Sequence, residues 1–455
     1  MAYRRLYGNK ERRPAVYRDG TSPKPAWVPF GFLDPALQVP EKYPRPKART
    51  MSKREISHSP FEKFNSWRKT KMKESERGTQ PVNRRSFLKR SAMAAGAVTA
   101  GAMLLSKSLP AFAQETGELT QGDIAILRFL AAAEIIESDL WTQYAELGGI
   151  GNNPPIEVDP NQTLNNYQLA LSNLDGDGPQ YITSNTLDEV SHAAFLNAYL
   201  ESRGAEPVNF DAFRTLEGST ATGSSGIKRL TNLMHLNVDT SWFVRYRSAT
   251  NPDLGATFPQ ALTLKGVTAI PRNNADFEGG AFPGGNPNGL GGNVHVQAIA
   301  NVAGFHFGYI EQGGSSLYAS LSQKVTDPQV LEVTLGIGGD EIAHFLEWVD
   351  FAGNGVQAPV APFTDPKSGL TFPNFFSPLN PQIQPSLIFP VPCEFISSKL
   401  PHVSIIRPLT DAFGGAVATI ASFTADGLFF GQSKQFLNTL QAMAVEADAA
   451  VRLAP

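Results

Sequence analysis

Apolar residues recur at three- and four-residue steps in five stretches of the chain, and each stretch predicts a helix. The first covers 121–147, with Ile124, Leu127, Leu130, Ala131, Leu140, Trp141 and Tyr144 on one face. Thr120 is its N-cap, Asp123 follows three residues on, and Gly148-Gly149 stop it. The second covers 186–202 and ends before Gly204; the third covers 294–321. The fourth starts at Asp327-Pro328, an N-cap followed by proline at the first helical position, and reaches Phe351. The fifth covers 432–453, with Phe436, Leu437, Leu440, Met443 and Ala444 on one face. Two long insertions interrupt this pattern. The first, 206–293, predicts a short helix over 227–242 and loop over the Gly- and Asn-dense 271–293. The second, 358–431, is Pro- and Phe-rich up to 408, contains extended runs such as 386–391, and predicts irregular structure with a short strand or two. The fold class is all-α, a helical body decorated by irregular insertions.

Charge divides the chain. Residues 1–90 carry 23 Lys+Arg against 8 Asp+Glu, and residues 114–455 carry 15 against 34. An acidic body of this kind is a poor partner for nucleic acid. The sign changes across one segment, in which Asn83-Arg84-Arg85-Ser86-Phe87-Leu88-Lys89 precedes an apolar stretch, 92–105, and then Ala111-Phe112-Ala113. A basic region, a short apolar region and a small-x-small site in that order make a secretory signal over 83–113. The apolar part is shorter than the ~20 residues a spanning helix needs, so no stable membrane span is expected in the mature chain. The arginine pair followed by Phe-Leu-Lys resembles a twin-arginine signal. That resemblance implies export of a folded passenger by the twin-arginine machinery, a mature chain starting at Gln114, and a periplasmic or secreted location. Residues 1–82 are rich in Arg, Lys and Pro without periodicity and predict a disordered basic extension. Met72 would start a signal of ordinary length; a basic arm facing acidic lipid is the other reading of 1–82.

The candidate chemistry sits on the helices. Asp188-Glu189-Val190-Ser191-His192 lies in the second and Asp340-Glu341-Ile342-Ala343-His344 in the fourth. Glu and His at i and i+3 share a helix face, so each pair can converge on one ion. Composition alone yields Glu-x-x-His roughly 0.35 times in such a chain, so the motif by itself is weak. It occurs three times, and the third, Glu55 to His58, falls in the polar extension and carries nothing. The other helices supply further carboxylates: Glu311 with Tyr318 seven residues on, Glu134 with Trp141, and Glu137 with Tyr144. Two Glu-x-x-His helices plus one Glu from each of two others is the donor set of a di-metal four-helix bundle. Blander readings stand beside these: Thr186-x-x-Glu189 as a capping box, Glu137 as a solvated glutamate, His192 and His344 as carbonyl-bonded interior histidines, and Tyr318 as packing or a hydrogen-bond partner of a ligand. His235, His295, His306 and His402 have no partner at ligand spacing, and Cys393, the single cysteine, excludes an internal disulfide and any multi-thiolate metal site.

These residues resemble the ferritin-like superfamily, in particular exported bacterial ferritin-like proteins of the desiccation-related type. The resemblance covers 122–147, 187–207 and 298–351. It rests on Glu134-x-x-Glu137, on His192 followed closely by Phe195-Leu196, and on Glu311 with Tyr318. It implies a ferritin-like four-helix bundle with a fifth, C-terminal helix. Glu189 and Glu341 would bridge two metal ions, Glu134 and Glu311 would be terminal, and His192 and His344 would each bind one. Trp141 stands where the family has Tyr, which leaves Glu137 a competitor of Glu134. Carboxylate and imidazole donors suit a di-iron or di-manganese cofactor, and the family implies oxidative- or desiccation-stress chemistry. The alternative is a non-catalytic envelope stress or interaction protein whose site is structural or empty. No Gly-x-Gly-x-x-Gly opens a helix and no Gly-x-Ser-x-Gly is present, so nucleotide binding and serine hydrolysis have no support.

A fusion of residues 72–113 to a folded reporter should reach the envelope, and Arg84→Lys with Arg85→Lys should block it. Fractionation of cells reads the outcome, and efficient export of the double variant would reject the twin-arginine assignment.

Overall fold

The computed structural model describes residues 118–150, 163–242, 262–280, 282, 293–376, 392, 394–406 and 414–454. The basic extension, the signal segment, Cys393, the run 386–391 and most of 281–292 lie outside them. The described residues are mostly helical, with four short strands. None of their helices is long and apolar enough to cross a membrane.

Among the described residues seven helices carry the fold: α1 Gln121–Gly148, α2 Asn166–Leu174, α3 Gly178–Ser202, α4 Val294–Ser322, α5 Pro328–Asn354, α6 Ala416–Asp426 and α7 Lys434–Asp448. The caps explain most of their ends. Thr120 accepts from the Asp123 backbone at the start of α1, Asp327 with Pro328 opens α5, and Ser433 opens α7. α1 packs along α3, and α4 along α5. Both pairs are antiparallel: Ser138 meets Glu189 and Trp141 meets Thr186 in one, while Tyr318 lies by Gly338 and Gly304 by Phe351 in the other. The pairs face each other through large side chains, with Trp141 of α1 stacked on Phe307 of α4 and on Trp348 of α5. α4 is the central helix; all but one of its residues are buried. It can be, because its only ionisable side chains are His295, His306, Glu311 and two tyrosines, each held by a partner from another element or within the site.

Three sequence expectations change. α3 starts at Gly178 with Pro179 in its first turn, eight residues before the predicted 186. Thr186 is therefore mid-helix, its hydroxyl bonded to the carbonyls of Ile182 and Trp141, and it does not cap Glu189. α2 and α6 add to the five periodic stretches; α2 opens with an Asn165–Gln168 capping box, and α6 ends at Gly427. Gly427 has φ of 90°, and a Cβ there would lie 2.6 Å from the His235 carbonyl oxygen, so only glycine fits. The third change is the segment 227–240, which is not helical. Arg229 bridges to Leu216, and β1 Leu236–Val238 pairs antiparallel with β2 Leu264–Val267. The physical reason is Asp139 of α1. Its buried carboxylate accepts from the backbone N–H of Leu230 and Thr231, from the Thr231 hydroxyl and from Gln143. Those N–H groups are thereby withdrawn from any helical ladder. In the second insertion β3 Phe363–Thr364 and β4 Thr371–Phe372 form the short strands expected there.

Asp139 also pairs with Arg214 at 2.6 Å, so one α1 carboxylate pins two stretches of the first insertion. Asp139→Ala leaves these donors without an acceptor and should cost about 3 kcal/mol or more. Denaturant unfolding measures the loss, and limited proteolysis should show faster cleavage at Arg214.

Candidate metal centre

Between the two helix pairs lies a cluster of carboxylates and imidazoles that the helices bring in from four directions. Glu134 comes from α1, Glu189 and His192 from α3, Glu311 from α4, Glu341 and His344 from α5. The four glutamates are buried to 1% exposure or less, and His192 and His344 to 8% and 6%. Gly314 of α4 makes room for one of them, since a Cβ there would overlap the Glu341 carboxylate.

The donor atoms form two overlapping sets. Glu134, Glu189, His192 and Glu341 offer four atoms within 4.8 Å of one another, and so do Glu189, Glu311, Glu341 and His344. Glu189 and Glu341 belong to both sets, and each set has one histidine and one further glutamate of its own. His192 Nδ1 lies 3.3 Å from Glu189 and 3.5 Å from Glu134; His344 Nδ1 lies 3.1 Å from Glu189 and 3.4 Å from Glu311. Both Glu341 oxygens, one oxygen each of Glu134 and Glu311, and His344 Nδ1 have no hydrogen-bond partner. Buried polar atoms are rarely left so. Several orphaned acceptors pointed at a common centre are what a bound cation would satisfy, so these clusters could hold metal. Glu137 is also buried, at 3%, but belongs to neither set.

The surroundings orient this shell. Each histidine turns its outer nitrogen to the aspartate of the opposite motif: His192 Nε2 to Asp340 at 3.2 Å and His344 Nε2 to Asp188 at 3.3 Å. The exchange is reciprocal between α3 and α5. A proton held on Nε2 by the aspartate leaves the Nδ1 lone pair facing the centre. The Asn185 amide donates to Glu189 at 2.8 Å and to Glu311 at 3.2 Å, and its carbonyl accepts from the Trp348 indole at 2.8 Å. The Tyr318 hydroxyl donates to Glu134. The sequence places Tyr318 here but gives no such place to Asn185, Trp348 or the aspartates. The Asp before each Glu is the available signal; nothing local marks Asn185.

Burial sets the protonation. It pushes the Glu189 carboxyl up to about 8, reinforced by Glu311 and Glu134 against the two histidines. Glu341 and Glu137 are pushed well above the carboxylate range by burial and then by their glutamate neighbours. For His192 burial opposes charge, but Asp340, Glu134 and Glu189 outweigh it and push the imidazole up to about 12. His344 is raised in the same way by Glu311, Asp188 and Glu189. The cluster without metal is thus a store of protons, with imidazolium serving as the internal countercharge to carboxylate.

Metal needs ionised carboxylate and neutral imidazole, so binding must expel those protons. Affinity should therefore climb with pH, roughly tenfold or more per unit from about 6 to 8, and continue past the ordinary imidazole pKa of ~6.5. Titration calorimetry in buffers of different ionisation enthalpy should count at least about two protons released per chain. Comparison of the chain with family models, with curated proteins and with solved structures returns no match.

Proposed function

We propose that this protein is a ferritin-like, di-metal carboxylate protein that holds iron or manganese and acts in oxidative chemistry outside the cytoplasm, reaching it by twin-arginine export. One observation carries the reading: two four-atom donor sets share Glu189 and Glu341, and each set adds its own histidine and glutamate. Two carboxylates common to both sets suit a bridged pair of ions better than two separate sites. The donors are oxygen and imidazole nitrogen, which favours iron and manganese over thiolate-seeking metals. Such a pair, when bound, supplies a place where dioxygen or peroxide can be reduced.

The chain's own contribution is positioning. Asp340 and Asp188 hold His192 and His344 with Nδ1 inward. Asn185 fixes one oxygen of Glu189 and one of Glu311, leaving the others turned to the centre. Tyr318 does the same for Glu134. The aromatic wall of Trp141, Phe307 and Trp348 excludes water from one side.

Elemental analysis of protein purified without chelator and offered Fe(II) or Mn(II) should find about two ions per chain. Glu341→Ala should cut this to below one. Its apo melting temperature should stay or rise, because an unpartnered carboxyl surrounded by four other glutamates is removed. An empty wild-type site, or a Glu341→Ala variant that keeps its metal and loses stability, would favour a non-catalytic envelope protein instead.

A further inference from the structure

Leading away from the cluster is a continuous line of buried rings. The Trp348 indole donates to Asn185, which itself donates to Glu189 and Glu311. Trp348 stacks on Trp141, with centroids 5.4 Å apart and planes at 26°. Trp141 meets Tyr144 at 5.6 Å, and Phe307 packs against all three. The Tyr144 hydroxyl is 2.7 Å from His306 Nδ1, and His306 Nε2 is 3.2 Å from Asp426 of α6. Trp348, Trp141, Tyr144, His306 and Asp426 are each exposed by 1% or less.

The rings differ in what happens to their protons. Trp141 Nε1 has no hydrogen-bond partner, and Trp348 Nε1 faces an amide oxygen, so neither indole can lose a proton to a base. Tyr144 alone of the three has one. A ring that can shed its proton as it loses an electron is the cheapest to oxidise and keeps the vacancy; a ring that cannot passes it on. Tyr318 also touches a base, Glu134, but has no ring contact with the stack among the described residues.

We propose that Tyr144 is a redox-active tyrosine, the terminal one-electron donor to the metal centre through Trp141 and Trp348. This rests on the reading of the cluster as a metal site, with hydrogen peroxide as the oxidant reduced there. In each transfer Trp348 gives one electron to the oxidised centre and recovers it from Trp141, which recovers it from Tyr144. The Tyr144 O–H bond breaks as the electron leaves, and the proton passes to His306 Nδ1. The products are a neutral tyrosyl radical and an imidazolium whose Nε2–H is held by the Asp426 carboxylate. Both tryptophans are restored, and the bound metal ions would supply the one-electron acceptor. The relay discharges oxidising equivalents into a buried, reversible store when no external reductant is bound.

Two arms test this on the full chain. In the first, an ultraviolet laser flash photoionises indoles in the metal-free protein. The tryptophan-radical absorption should decay as tyrosyl absorption rises, at a rate independent of protein concentration. Tyr144→Phe, which keeps the ring and the packing, should abolish the rise, and His306→Gln should slow it at least about tenfold. Tyrosyl growth unchanged in Tyr144→Phe, or none in wild type, would overturn the relay. In the second arm, iron-loaded protein is mixed with hydrogen peroxide and frozen for electron paramagnetic resonance. A tyrosyl signal absent from Tyr144→Phe and from Trp141→Phe supports the relay. A signal that persists in Tyr144→Phe and vanishes in Tyr318→Phe, or iron-bound protein that consumes peroxide with no radical, overturns it. Failure to bind iron would defeat the metal reading, and the flash arm would still decide whether Tyr144 takes the vacancy from the indoles.

Discussion

Glu134, Glu189, Glu311 and Glu341 occupy one water-poor space, with Glu137 beside them, and the rest of the helical body is arranged around that confinement. Like charges at these separations cannot all remain ionised in a low-dielectric interior. The chain answers with two imidazoles inside the cluster and with protons on the carboxyls. The solution is costly in stability but easily reversed, because any multivalent cation with access can take the protons' place. A buried cluster that held only itself together would satisfy its atoms with hydrogen bonds. Here both oxygens of Glu341 are left bare, while Asn185, Asp188 and Asp340 hold the periphery of the cluster by hydrogen bonds.

That periphery ties the site to the scaffold. The crossed contacts of Asp188 and Asp340 lock α3 to α5 through the histidines, at a place where the two helix backbones themselves touch little. Asn185 couples α3 to α4 through Glu311 and to α5 through Trp348. Any movement of one helix is therefore felt by candidate donor atoms on the other. The same contacts connect the cluster to the stacked rings of Trp348, Trp141 and Tyr144, and through His306 and Asp426 to α6.

The insertions are held by the same device, a buried carboxylate with several donors. Asp139 binds two backbone N–H groups of 230–231 and Arg214. Glu146 pairs with the buried Arg229. At the start of α4, His295 sits between Asp276 at 3.2 Å and Asp365 at 2.9 Å, joining the first insertion to the second. Arg272 holds Asp276 in turn, keeping its carboxyl well below the usual range despite burial. Long irregular segments can be packed on a helical core in this way because their backbone groups find acceptors rather than water.

The sequence by itself determined what is local and periodic. Apolar spacing with Thr120, Asp327 and Pro328 located α1 and α5 almost to the residue, and the Glu-x-x-His pairs named four of the six side chains that converge. Glu311 was named as the carboxylate of the third predicted helix, with Tyr318 seven residues on and on the same face. What the sequence left open was decided by neighbours far along the chain. Glu134 and Glu137 are three residues apart and face nearly the same way; only the approach of α3 and α5 puts Glu134 in a donor set and leaves Glu137 outside. Asp188 and Asp340 serve each other's histidine, a pairing across 148 and 156 residues that no local spacing encodes. His295 and His306 looked partnerless because their carboxylates come from other elements. The segment 227–240 had a helical pattern, but Asp139, 91 and 92 residues upstream of Leu230 and Thr231, claimed their N–H groups. Periodicity reports which face a residue takes on its own element, whereas partners are set by which elements meet, and that is a property of the packed chain alone.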